Sequence, residues 1–151
     1  MDKNTIIETA EKLMAKADTA YLATIDEKGF PQIRAMLNLL CTDGFPKQSD
    51  YIRKNRNGLS TYFTTNTSSR KIPQIKKNVA ASVYYNIGYE GLLLIGNLEI
   101  VEGDKVKRAF WEDSWKMYYT KGLDDPDHTI LKFTPSTLKL YGNFKVTEIS
   151  L

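Results

Sequence analysis

The 151-residue chain carries 42% hydrophobic and 26% charged residues, with 21 basic against 18 acidic side chains and a net charge of +3, the make-up of one soluble domain able to bury its own core. So small a net charge points to no nucleic-acid partner. The single cysteine, Cys41, excludes an internal disulfide and a cysteine-based metal cluster. No apolar run approaches the about 18 residues of a spanning helix, and Met1-Asp2-Lys3-Asn4 leads into no secretory or transit pattern, so no membrane partner and a cytoplasmic location are expected.

From Asn4 to Ala17 the apolar residues Ile6, Ile7, Ala10, Leu13, Met14 and Ala17 recur at three- and four-residue intervals, opposite Glu8, Glu11, Lys12 and Lys16. This predicts a helix with one buried stripe. Thr19 to Ile25 reads as a strand, Asp26 to Gly29 as a turn, and Pro31 to Leu39 as the returning strand of a hairpin. On that second strand Ile33, Ala35, Leu37 and Leu39 share one side, and Arg34, Met36 and Asn38 the other. Arg34 is then either a solvent-facing residue of a half-exposed sheet or a cation directed at a ligand. Leu40 to Gly58 loses periodicity and carries Arg53, Lys54 and Arg56, so a basic loop insertion is expected there, with Phe45 and Tyr51 tacking it down or meeting a ligand.

Thr61 to Lys71 is the most informative stretch. It begins as an aromatic and β-branched strand, turns to Asn66, Thr67, Ser68 and Ser69, and ends on Arg70-Lys71. Backbone N–H groups, hydroxyls, a guanidinium and an ammonium in so few residues suit a phosphate dianion. The same residues are also ordinary turn and N-cap material. Ile72 to Asn78 predicts a short helix starting close to Ser69, because Pro73 is tolerated only near a helix start. Its positive end would face the anion.

Val79 to Tyr85 and Leu92 to Val101 read as two strands. Leu92-Leu93-Leu94-Ile95, apolar on both faces, marks a central strand or one that meets a second subunit. A helical region is expected from Gly103 to about Tyr119, with Trp111, Trp115, Tyr118 and Tyr119 assigned to packing, followed by a Gly122 to Asp127 loop. The last two strands, His128 to Thr134 and Thr137 to Val146, would turn at Pro135-Ser136. Six or seven antiparallel strands with peripheral helices define a mainly β, α+β barrel, a single domain over residues 1–151.

One histidine, His128, provides no His-rich metal site and reads as a structural or surface residue. No nucleophile elbow, Walker loop or dinucleotide fingerprint is present. Redox chemistry would need a bound cofactor.

In order, Tyr21-Leu22-Ala23-Thr24, Asp26-x-x-Gly29-x-Pro31-x-Ile33-Arg34, Tyr62-Phe63-Thr64-Thr65 with Ser69-Arg70-Lys71, and Leu94-Ile95-Gly96-x-Leu98-Glu99 resemble the FMN-binding split-barrel family of the pyridoxamine 5'-phosphate oxidases. The chain is most similar to its general stress protein 26 branch, through Gly122 to Pro126. Outside residues 40–58 the resemblance covers nearly the whole sequence.

The resemblance implies a homodimer holding FMN at the subunit interface. Arg34, Ser69, Arg70 and Lys71 would take the phosphate, and the backbone from Arg34 through Ala35 and Met36 to Leu37 would run along the flavin. Thr64 and Thr65 would add donors near the ring and ribityl chain, and Tyr141 would approach from the other subunit. The implied activity is that of an FMN-dependent oxidoreductase or flavin reductase with a small-molecule or nicotinamide substrate. The alternative is a non-catalytic flavin-binding or stress-linked sensor whose interaction surface is Arg53-Lys54-x-Arg56. Leu39 stands where the oxidases carry a lysine, Gly91 where they carry a flavin-contacting glutamine, and no Arg-x-His segment follows the last strand. Oxidation of pyridoxamine phosphate itself is therefore not expected.

Overall fold

The computed structural model describes residues 1–151. Helix α1 (Lys3–Lys16) is capped by the Asp2 carboxylate, which accepts from the Thr5 N–H at 2.9 Å, and it buries Ile6, Ala10, Leu13 and Met14. Then come β1 (Thr19–Ile25), β2 (Pro31–Leu37), α2 (Pro46–Asn55), β3 (Thr61–Asn66), α3 (Lys71–Lys77), β4 (Ala80–Ile87), β5 (Glu90–Val101), α4 (Asp104–Phe110), β6 (His128–Gly142) and β7 (Lys145–Ser150). Short 3₁₀ turns at Asp113–Met117 and Gly122–Asp124 lie between α4 and β6. No helix is long and apolar enough to cross a membrane.

The seven strands form one antiparallel sheet in the order β2-β1-β4-β5-β6-β3, with β7 added on β6. β5 lies in the middle, as its two apolar faces require, with Leu92 and Leu94 fully buried. The sheet curls so that its edge strands β2 and β3 approach without pairing, leaving a seam. On β2 the side bearing Arg34 and Met36 is half-buried and faces inward, while Ile33 and Leu37 stay 69% and 51% exposed. The solvent-facing alternative for Arg34 is thus excluded.

Three expectations are corrected. Residues 40–58 are not a loop insertion. They contain α2, which starts at Pro46, where a missing N–H costs nothing, and which buries Gln48, Ser49 and Ile52. Two of its three buried residues are polar, so no apolar stripe announced it. Gln48 Nε2 donates to the Phe110 carbonyl at 3.0 Å and to Glu112 Oε1 at 2.8 Å, and Lys47 Nζ to the Trp111 carbonyl at 2.9 Å, so α2 satisfies the open carbonyl end of α4. Arg53 and Arg56 are engaged with the Leu40 carbonyl and with Glu11, at 3.0 and 2.8 Å. They do not form a free basic patch. Phe45 and Tyr51 pack inward, Tyr51 edge-on to Phe110 at 5.1 Å.

Pro135-Ser136 is no turn either: β6 runs through it, with a bulge opposite Ile95 and Gly96. Proline is tolerated where a bulge interrupts the ladder. Gly96 makes the close approach possible, since a Cβ there would lie 2.1 Å from the Thr134 carbonyl oxygen. The chain instead turns at Asn143-Phe144, both at positive φ (51° and 57°), into β7. Third, the helical region ends at Phe110; beyond it only Trp115 lies on a 3₁₀ turn, while Trp111 caps α4 and Tyr118 and Tyr119 follow the turn.

Because Ile52 is fully buried, Ile52→Ala should cost about 2–5 kcal/mol in urea denaturation, and deletion of residues 40–58 should abolish cooperative unfolding. A loss under about 0.5 kcal/mol for Ile52→Ala would mark the segment as dispensable.

Candidate functional site

The seam holds a cavity of about 350 Å³, within the range of small-molecule sites. β2 contributes Arg34, Ala35, Met36 and Leu37, β3 contributes Thr64, Thr65 and Asn66, and Lys71 enters from the start of α3. Trp115, Tyr118 and Tyr119 of the 3₁₀ segment close the remaining side.

Two cations meet there. Lys71 is only 8% exposed, and its Nζ donates to Thr65 Oγ1 at 2.6 Å and to Ser69 Oγ at 2.7 Å. Arg34 Nη1 donates to Thr24 Oγ1 at 2.7 Å, and that buried hydroxyl donates in turn to Gln74 Oε1 of α3 at 2.7 Å. Both partners are neutral. The chain's three salt bridges, Lys54 with Asp50, Arg56 with Glu11 and Lys139 with Glu148, include neither Arg34 nor Lys71. Burial, and then the nearby Arg34 charge, push the Lys71 ammonium down to about 8, and burial alone lowers Arg34. A buried cation held only by hydroxyls is costly, and an anion between the two would remove that cost.

The turn after β3 is braced from the Asp125-Pro126-Asp127 loop. Asp127 Oδ1 accepts from the Ser68 N–H at 2.8 Å, its Oδ2 from Asn66 Nδ2 at 3.0 Å, and its carbonyl from the Thr67 N–H at 2.6 Å. Asp125 is held in place by the N–H groups of Asp127 and Lys121, which keep its carboxyl below the usual range. Tyr119 OH shares its one proton between Asn66 Oδ1 at 2.9 Å and the Thr65 carbonyl at 3.2 Å, latching the aromatic wall to the same turn. Behind it, His128 is fully buried with both ring nitrogens unpartnered, 4.9 Å from Tyr119, 5.7 Å from Trp115 and 5.8 Å from Trp111 between ring centroids. Burial pushes its pKa down to about 4, so at neutral pH it is an uncharged packing residue, one of the two alternatives its sequence context left open.

Of the residues the sequence singled out, the fold brings together Arg34, Ala35, Met36, Leu37, Thr64, Thr65 and Lys71 around the cavity, with Ser69 attached through Lys71. Arg70 is exposed on the turn and makes no side-chain hydrogen bond. Tyr141 lies elsewhere, beside Glu90 and Asn143 and edge-on to Tyr84 at 6.3 Å, so only a second subunit could bring it to this cavity. Leu39 is buried in the core, and Tyr84 covers Gly91, where a Cβ would come 2.2 Å from its hydroxyl. Sequence reasoning missed Thr24, Gln74, Asn66, Asp127 and the wall residues Trp115, Tyr118 and Tyr119. The signals for these were the Tyr21 to Thr24 motif, the Asn66 to Ser69 turn and the Gly122 to Pro126 segment, whose neighbour Asp127 proves to be the brace.

A split antiparallel barrel with a cationic cavity in its seam is the class this geometry defines. The family profile described as Pyridoxamine 5'-phosphate oxidase matches residues 6–142, and the chain belongs to that family. Among solved structures it is similar to a protein related to general stress protein 26 from Clostridium acetobutylicum, of the pyridoxinephosphate oxidase family, at 29% identity and TM-score 0.76, covering 100% of this chain and 97% of that one. General stress protein 26 from Bacillus anthracis aligns at 20% identity and TM-score 0.71, over 96% and 98% of the two chains. A heme binding protein from Mycobacterium smegmatis shares the fold at 15% identity and TM-score 0.69, over 99% of this chain and 60% of that one. No curated protein matches the sequence.

The unfolded chain keeps the Lys71 ammonium up to its ordinary 10.5, whereas the folded one releases the proton near 8, so the penalty is fully present below about pH 8 and is relieved as pH rises toward 10.5. Urea denaturation in phosphate-free buffer should show wild-type stability gaining over that window, and Lys71→Met should lack the gain. Parallel pH profiles for the two proteins would refute an unneutralised Lys71.

Proposed function

We propose that this chain binds FMN in the seam and serves as a flavin-dependent oxidoreductase, with its cofactor phosphate between Arg34 and Lys71. The observation that carries the reading is that both side chains line one cavity and are held by neutral partners, with no carboxylate to neutralise them. A phosphate dianion accepts a forked guanidinium and an ammonium together. The Ser69 hydroxyl is its further donor, since the Thr67, Ser68 and Ser69 N–H groups are already taken by Asp127 and Asn66, and exposed Arg70 adds long-range attraction. Ala35, Met36 and Leu37 give the ring an apolar edge with backbone groups, while Thr64 and Thr65 supply hydroxyls toward the ribityl chain. When bound, FMN supplies the hydride or electron transfer that the side chains of this cavity do not. The chain supplies grip, orientation and a wall against water.

In this reading two copies associate through the outer face of β2. That edge strand exposes Ile33 and Leu37, with Phe30 beside them 62% exposed, an apolar surface that calls for cover. Association would also allow Tyr141 of a second copy to approach the ring. Haem fits less well: the chain's one imidazole, His128, is fully buried behind Trp111, Trp115 and Tyr119 and does not line the cavity. With Gly91 under Tyr84 and Leu39 in the core, the two positions that depart from the oxidases remain unavailable to a ligand, so pyridoxamine phosphate is not the proposed substrate.

Titration with FMN, followed by quenching of flavin fluorescence, should show Arg34→Ala and Lys71→Ala each weakened by about 1.5–3 kcal/mol. Riboflavin, which lacks the phosphate, should bind wild type and both variants alike. Wild-type FMN affinity in both variants would contradict the assignment.

A further inference from the structure

Tyr118 differs from its aromatic neighbours. Trp115 and Tyr119, on either side of it in the cavity wall, are 8% and 5% exposed, whereas Tyr118 is 70% exposed while still lining the cavity. An exposed ring is ordinarily a mobile one, but the backbone under this ring is fixed. The Tyr118 N–H donates to the Trp115 carbonyl at 2.9 Å, and the Tyr119 hydroxyl is latched to β3. Trp115 meets Trp111 edge-on at 6.2 Å, and both pack around His128. The Tyr118 hydroxyl makes no hydrogen bond within the chain, although the Tyr119 hydroxyl beside it makes two. The result is an exposed aromatic face with a free polar tip on a fixed backbone, lining the same cavity as Arg34 and Lys71. With only two side-chain torsions to fix, a tyrosine provides contact area at low entropic cost.

The cavity also narrows the chemistry. Its lining contains cations, hydroxyls, one amide and aromatic rings, but no carboxylate, imidazole or thiol. A substrate whose oxidation begins with proton removal by a side-chain base is poorly served here. A planar acceptor, whose electrons come from the cofactor and whose last proton comes from water, needs none.

We propose that Tyr118 is the stacking surface for the second substrate of this site, and that this substrate is a planar electron acceptor of the quinone class. The proposal rests on the flavin reading above. The quinone takes a hydride from the reduced flavin and a proton from water, and leaves as the hydroquinone. The flavin, having given up two electrons and one hydrogen, is returned oxidised, and a two-electron donor such as a nicotinamide or dithionite reduces it again. Tyr118 touches the acceptor and sets its affinity, stacking on the ring while its hydroxyl reaches a quinone oxygen.

The experiment uses full-length protein loaded with FMN, with menadione as the probe. FMN affinity is measured first for wild type, Tyr118→Leu, Tyr118→Phe and the neighbouring control Met117→Ala. Binding of menadione to the oxidised holoprotein is then measured by equilibrium dialysis, and flavin reoxidation after stoichiometric anaerobic reduction is followed by stopped flow. Saturation in menadione is expected for wild type. Tyr118→Leu should raise both the dissociation constant and the half-saturating concentration about tenfold, Tyr118→Phe should stay within about threefold, and Met117→Ala should match wild type. A wild-type rate linear in menadione, or unaltered menadione binding in Tyr118→Leu, overturns the proposal while leaving the flavin reading intact. If Tyr118→Leu loses FMN affinity and keeps menadione binding, the ring stacks on the flavin and the proposal fails. Failure of wild type to bind FMN overturns both.

Discussion

Two positive charges at the seam of the barrel, drawn out of water without an acidic partner, are the constraint on which the rest of the structure bears. Arg34 comes from β2 and Lys71 from the start of α3, and each is held by hydroxyl groups that orient it without neutralising it. In a low-dielectric environment such an arrangement opposes folding. Its persistence is understandable if the charges complete their coordination with a ligand, because binding energy then offsets the repulsion between them. Burial, and after it the Arg34 charge, accounts for the lowered Lys71 ammonium.

The fold serves this spot by leaving its barrel open. A ladder between β2 and β3 would close the seam and fill it with backbone hydrogen bonds. Instead the two strands remain edges of a sheet that continues the other way round, through β1, β4, β5 and β6. The gap is held at a fixed width from outside. Thr24 and Gln74 tie Arg34 to β1 and α3, and Asp127 secures the turn that presents Ser69 and Lys71. Tyr119 binds the aromatic wall to that turn. α2 completes the support by satisfying the carbonyl end of α4, from which the wall is suspended.

What could be read in the sequence follows from range. The hairpin of β1 and β2, the amphipathic α1, the doubly apolar β5 and the hydroxyl-rich turn into Arg70-Lys71 are local patterns, and they stand where the residues predict; Arg34, Thr65 and Lys71 line one cavity. The strand pattern leaves Arg34 either facing solvent or converging with Lys71 on one anion, and the resemblance favours the second, since spacing alone brings no residues so distant together. α2 was illegible because Gln48 and Ser49 are buried for their hydrogen bonds rather than their hydrophobicity. The Pro135 bulge was mistaken for a turn because proline is a sound turn signal in isolation, and only Gly96 across the ladder makes it a bulge. Trp115, Tyr118 and Tyr119 looked like core residues, and two of them are; a residue can be packed on one side and line a cavity on the other. Arg70, adjacent to Lys71 and chemically apt, faces water instead.

The exposed apolar face of β2 and the inward Arg34 are two sides of one strand, since side chains alternate across it. In the proposed reading, covering the outer face with a second copy and filling the inner one with a nucleotide phosphate would be coupled through the same short segment. The most direct test of the cation pair is an NMR titration of the Lys71 side-chain ammonium, with and without FMN. The account predicts a midpoint near 8 in the free protein and a clear rise once FMN is bound, as the phosphate stabilises the charged form. A midpoint at the ordinary lysine value in the free protein, or one that FMN leaves unmoved, would contradict it.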